Sequence, residues 1–130
     1  MQKINEKKRF SLVARVKSTN NAFRGFVIFL KSTHNFWVHI FFAVLAIYLG
    51  FLFQISSTEW MFLVLVIGLV FITESFNTAM EIDIDLTSPD FHPYARDTKD
   101  VAAGTVLIAV LLAGIVGIII FLPKILALYF

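Results

Sequence analysis

A chain of 130 residues makes one domain at most. Its apolar share of 58% and mean hydropathy of +0.83 exclude an ordinary soluble domain, which is typically about 45–50% apolar. The absence of cysteine excludes a disulfide framework and thiolate chemistry. The formal charge of +2 conceals a split: eight of the eleven Lys and Arg lie in the first 31 residues, and seven of the nine acids lie between Glu74 and Asp100.

Residues 1–9 are polar and basic and predict a flexible arm. They do not form a secretory signal, because no uninterrupted apolar run follows them. Residues 10–32 have helical periodicity, with Phe10, Val13, Val16, Phe23, Val27 and Leu30 near one face and Arg15, Lys17, Arg24 and Lys31 off it. That pattern predicts an amphipathic helix on the membrane surface, with its cations among lipid phosphates. The plainer alternative is a helix packed against neighbouring spans.

Three apolar stretches follow. Residues 35–53 carry no Lys, Arg, Asp or Glu, and His39 is their one ionisable side chain of that chemistry apart from Tyr48. As a helix, 19 residues would rise about 28 Å, close to the hydrocarbon thickness of about 30 Å. The turn 54–59 (QISSTE) has no positive charge. Trp60 opens a second span, 60–80, at an interface position that suits an indole. The third span, 101–122, is uncharged, and Pro123 is expected to end it, with Lys124 as an anchor. Basic residues concentrate in the N-terminal arm, so the positive-inside rule puts the N-terminus and residues 81–100 in the cytoplasm. The fold class expected is all-α, multi-pass and integral to the cytoplasmic membrane.

The polar chemistry lies in the stretch ESFNTAMEIDIDLTSPDFHPYARDTKD, Glu74 to Asp100. On a helix, Glu81 and Asp85 each return to within about 20° of Glu74, and Asn77 and Thr78 flank the same line. Glu74 and Glu81 are then about 10 Å apart along the axis. This spacing suits a division of labour: one carboxylate at an apolar boundary to accept a proton, another to hold a hard cation such as Mg²⁺. The alternative is a solvated helix end that pairs with basic neighbours. Residues 87–93 (TSPDFHP) predict a turn, in which His92 is either a surface histidine or a ligand. Asp97 and Thr98 are expected to cap the third helix, with Asp100 in its first turn. Lys99 is either a snorkelling lysine or a cation for phosphate. Neither G-x-x-x-x-G-K-[ST] nor G-x-G-x-x-G occurs.

Two blocks carry a resemblance. Glu74–Glu81 (ESFNTAME) is similar to the E-x-x-N-[ST]-A-x-E block of the small prokaryotic integral-membrane lipid kinases, the diacylglycerol and undecaprenol kinases. Lys99–Leu107 (KDVAAGTVL), after SPDFHP, resembles their K-D-[MV]-x-[AS]-[AG]-x-V-L block, in wording nearer the undecaprenol-kinase branch. The resemblance implies a homotrimer with composite cytoplasmic sites, ATP as co-substrate and Mg²⁺ as cofactor. It also implies a membrane lipid alcohol as acceptor, and no nucleic-acid partner is expected. By position, Glu74 would be the base or hydroxyl-orienting group, supported by Asn77. Glu81 would be the metal ligand. Lys99, Asp100, Asp90 and His92 would handle the nucleotide. One departure stands out: the family usually places a second metal-binding glutamate before the first span, and this chain has Thr33 there, with Asp83 or Asp85 as candidate replacements.

The expected function is therefore a lipid kinase acting on undecaprenol or diacylglycerol. The alternative is a catalytically weakened relative that serves as a membrane interaction or assembly protein. A channel or transporter is disfavoured, because the acids cluster at one membrane face and transport sites usually lie near the midplane. Ala109, Ala113 and Gly117 form a small-residue row on the third span, suited either to oligomer contacts or to packing within the chain.

Overall fold

The computed structural model describes residues 11–33 and 35–129, and every regular element among them is an α-helix. In chain order these are α1 (Leu12–Ser32), α2 (Phe36–Leu52), α3 (Ser57–Thr87) and α4 (Pro93–Leu126). The N-terminal arm and Phe10 lie outside the described residues. α1 belongs to one compact unit and α2–α4 to a second.

Within its own unit, α1 begins where Ser11 supplies a start signal. The Ser11 hydroxyl accepts from the Ala14 N–H at 3.4 Å, and its carbonyl accepts from the Arg15 N–H. Lys31 lies in the last turn, where a cation complements the helix dipole.

In the second unit, α3 packs chiefly along α4 and more lightly on α2. α3 and α4 are long and apolar enough to cross a membrane, while α2 has 17 residues, about 26 Å of rise. The described residues thus hold two or three apolar, membrane-capable helices. Their outward faces carry exposed Phe62, Leu65, Leu111 and Ile118, a surface that suits lipid better than water.

The α2–α3 connection shows why the bundle turns where it does. Gln54 has a φ of 48°, its N–H bonds the Phe51 carbonyl, and the Ile55 N–H bonds that of Gly50. This is a Schellman-type stop, with Gln54 where glycine is more usual. Gly50 itself is needed for close approach, since a side-chain carbon there would meet Trp60 Cη2 at 2.7 Å. Ile55, Leu63, Ile120 and Phe121 bury one another beside this turn.

Two boundary expectations are corrected. α4 starts at Pro93, not after a cap at Asp97 or Thr98, and its cap is His92, whose Nδ1 accepts from the Tyr94 N–H at 3.2 Å. Pro93 at the first helical position loses no bond, because that N–H has no partner within a helix. Asp97 and Thr98 are therefore inside the helix, and the Thr98 hydroxyl donates to the Tyr94 carbonyl. Pro123 does not end α4, which continues to Leu126, and the Pro123 carbonyl accepts from the Ala127 N–H at 3.1 Å. A proline this close to the terminus removes one donor and leaves the following turn intact.

Candidate active site

α3 stays helical through its polar half because its hydroxyls are satisfied locally. Thr73 Oγ1 donates to the Leu69 and Val70 carbonyls, Ser75 Oγ to that of Ile72, and Thr87 Oγ1 to that of Asp83. The carboxylates are then displayed at helical intervals on a rigid element. Glu74 is 3% exposed and Thr78, one turn on, is 5% exposed.

Two other segments meet this face. His39, in the first turn of α2, places Nε2 3.7 Å from Glu74 Oε1, and both side chains are largely buried. Thr33, just before α2, shares a 2.9 Å hydrogen bond between its hydroxyl and that of Thr78. Along α3, Asn77 Nδ2 donates to Glu81 Oε1 at 3.2 Å. Two buried polar atoms here have no hydrogen-bond partner among the described residues: His39 Nε2 and Asn77 Oδ1. Unpaired buried polar atoms are costly, so both call for an explanation.

The expected residues thus divide into groups. Glu74, Asn77 and Glu81 occupy successive turns of one helix, as their spacing predicts. Asp85, further along, is paired with Lys99 of α4, the ion pair anticipated for a solvated helix end. Asp100 pairs with Arg96 at 3.6 Å, with both side chains well exposed. Asp90 lies in the loop between α3 and α4, where its carbonyl accepts from the Ser88 hydroxyl at 3.5 Å, and His92 is occupied as a helix cap. Lys99, Asp100, Asp90 and His92 therefore have local partners, and among the described residues no hydrogen bond or ion pair joins them to Glu74. The small-residue row is partly used within the chain, with Ala109 1% exposed.

His39 stands out in the sequence of this segment, but its pattern alone assigns it no role. It is an ionisable side chain in an otherwise apolar segment, which marks a functional site by default.

The donor chemistry fits a phosphate-bound Mg²⁺ better than a cation caged by protein. Among the described residues, no group of three or more His, Asp or Glu could hold a metal ion. Mg²⁺ needs only one or two carboxylates when phosphates and water complete its shell, and Glu81 with the unpaired Asn77 carbonyl oxygen offers hard donors of that kind. Thr33 is bonded to Thr78, and Asp85 is held by Lys99.

Comparison with known proteins shows the family. The sequence pattern of the family described as "Prokaryotic diacylglycerol kinase" matches residues 20–121. The chain is 40% identical over 108 residues to a Bacillus subtilis (strain 168) protein named undecaprenol kinase, covering 83% of this chain and 88% of that one. It is 37% identical over 108 residues to a Synechocystis protein named diacylglycerol kinase, covering 82% of this chain and 62% of that one. No solved structure matches the chain. The matched segment takes in α2, α3, their buried carboxylate and most of α4, and the chain belongs to the prokaryotic diacylglycerol kinase family.

Proposed function

We propose that this protein is a lipid kinase that transfers the γ-phosphate of ATP to the hydroxyl of a membrane lipid, of the undecaprenol or diacylglycerol class. The observation that carries the reading is Glu74, a carboxylate buried in an apolar helix bundle, with Asn77 and Glu81 on the following turns. Family membership supports the reaction class.

In the step proposed, the lipid hydroxyl gives its proton to the Glu74 carboxylate as its oxygen forms a bond to the γ-phosphorus. The bond from that phosphorus to the β–γ bridging oxygen breaks, and ADP leaves with the electron pair. Catalysis of this kind rests mainly on positioning and charge neutralisation. Asn77 fixes the rotamer of Glu81, which with the Asn77 carbonyl would hold Mg²⁺. The metal, when bound, would neutralise phosphate charge. Lys99, Asp100, Asp90 and His92 handle the nucleotide, and for Lys99 this means exchanging Asp85 for phosphate. Residues 1–9 act as a basic arm, 10–32 as a surface helix, 35–53, 60–80 and 101–122 as spans, and 81–100 as the cytoplasmic active-site segment. The N-terminus is cytoplasmic, and three chains form a homotrimer.

The test is ATP consumption by detergent-purified protein with Mg²⁺, comparing no lipid, undecaprenol and a short-chain diacylglycerol. Turnover that depends on one lipid is the expected result. Its absence with every lipid, in folded protein, would overturn the reading.

Thr33 favours a second reading, a catalytically weakened member acting in membrane assembly, because its hydroxyl is spent on Thr78 and offers no carboxylate to a metal. Thr33→Glu separates the two. In a working kinase it should lower the Mg²⁺ needed for half-maximal rate, whereas no turnover before or after the change would favour the second reading.

A further inference from the structure

We infer that His39 is a second hydroxyl-binding residue, and that the acceptor alcohol is seated against both His39 Nε2 and Glu74 Oε1. The inference rests on the lipid-kinase reading and adds to it a residue and a means of selecting the substrate.

The two atoms are 3.7 Å apart, too far for a direct hydrogen bond, and Nε2 is buried with no other partner. An oxygen set to one side of the line joining them, about 2.8 Å from each, would close both contacts at ordinary hydrogen-bond length. An imidazole N–H facing a carboxylate asks for one group that accepts from the first and donates to the second. A hydroxyl does both, an ester or ketone oxygen only accepts, and an ammonium only donates. With one lone pair of the alcohol oxygen taken by His39 and its proton directed at Glu74, the other lone pair is free for phosphorus.

The surroundings say what carries that hydroxyl. Among the described residues, His39 is the one polar side chain lining a groove of about 360 Å³ between α2, α3 and α4. The remaining walls are apolar or glycine, among them Phe42, Leu49, Val70, Val110 and Phe121. A groove with a polar head and apolar walls suits a long-chain alcohol, its hydroxyl at His39 and its hydrocarbon chain along the helices.

Two variants and a spectroscopic reading test this. His39→Phe keeps the ring volume and loses the N–H, and His39→Gln keeps an N–H donor. For His39→Phe, kcat/KM for a short-chain diacylglycerol should fall by about 10- to 100-fold, with the KM for MgATP unchanged. His39→Gln should recover most of the loss. Without ATP, the side-chain ¹⁵N resonance of His39, assigned by its disappearance in His39→Gln, should shift on adding the diacylglycerol. It should not shift with the same lipid methylated at its hydroxyl. Wild-type kinetics in His39→Phe, or equal shifts with both lipids, would overturn the inference and leave the kinase reading standing. A hydroxyl-dependent shift in protein without lipid-dependent turnover would overturn the kinase reading and leave the hydroxyl seat standing.

Discussion

Glu59 and Glu74 sit on the same helix, about 22 Å apart, and the chain surrounds them in opposite ways. Glu59 has both oxygens engaged: Oε2 accepts from the Ser56 N–H at 2.7 Å in a capping box, and Oε1 accepts from Lys124 at 2.7 Å. Glu74 is buried more deeply, with a histidine just beyond hydrogen-bond range and unpartnered polar atoms on His39 and Asn77. A satisfied carboxylate fixes structure, whereas polar groups held buried and unpaired are maintained for something that binds there. On the proposed function, one helix thus carries a structural end and a chemical end.

The largest effect is expected at Glu74. Glu74→Gln should lower lipid phosphorylation by about 10²- to 10⁴-fold, the usual weight of a general base, without lowering the melting temperature. A stability loss with partial activity would make Glu74 structural as well. Next comes Glu81→Gln, which should raise the Mg²⁺ needed for half-maximal ATP turnover by about ten-fold or more. At the other end, Ser56→Ala should cost about 1 kcal/mol in denaturant unfolding while kcat is unchanged.

The smallest effect is a pH dependence at the structural end. The Lys124 hydrogen bond, then that from the Ser56 N–H, holds the Glu59 carboxyl, in the turn ahead of the apolar span, down at about 2 against an ordinary 4.5. A carboxyl with a lowered folded-state value stabilises the fold above its ordinary range, and that stabilisation is lost as pH falls from about 4.5 towards 2. Melting temperatures of the wild type and Glu59→Gln should therefore differ at neutral pH and converge across that window.

The two ends were not equally legible in the sequence. The apolar stretches of α3 and α4 stand out by hydropathy, and the seven-residue return from Glu74 to Glu81 marks one helix face, because both signals are local. The start of α4 was obscured by competing signals. Asp97 and Thr98 have good capping chemistry, but Pro93 and His92 come first in the chain and already satisfy a helix start. The turn at residues 54–59 is legible from its polar residues, but Gln54 gives no sign of the positive-φ helix stop that a glycine would have marked. The meeting of His39 with Glu74, and of Thr33 with Thr78, depends on how α2 is set against α3, which neither segment's own pattern encodes.

The most direct test of the contrast is lipid-dependent, Mg²⁺-dependent ATP consumption by wild type, Glu74→Gln and Glu59→Gln, each purified and shown to be folded. Wild type and Glu59→Gln should turn over at similar rates, and Glu74→Gln should be slower by about 10²- to 10⁴-fold. Near-wild-type turnover in Glu74→Gln would contradict this.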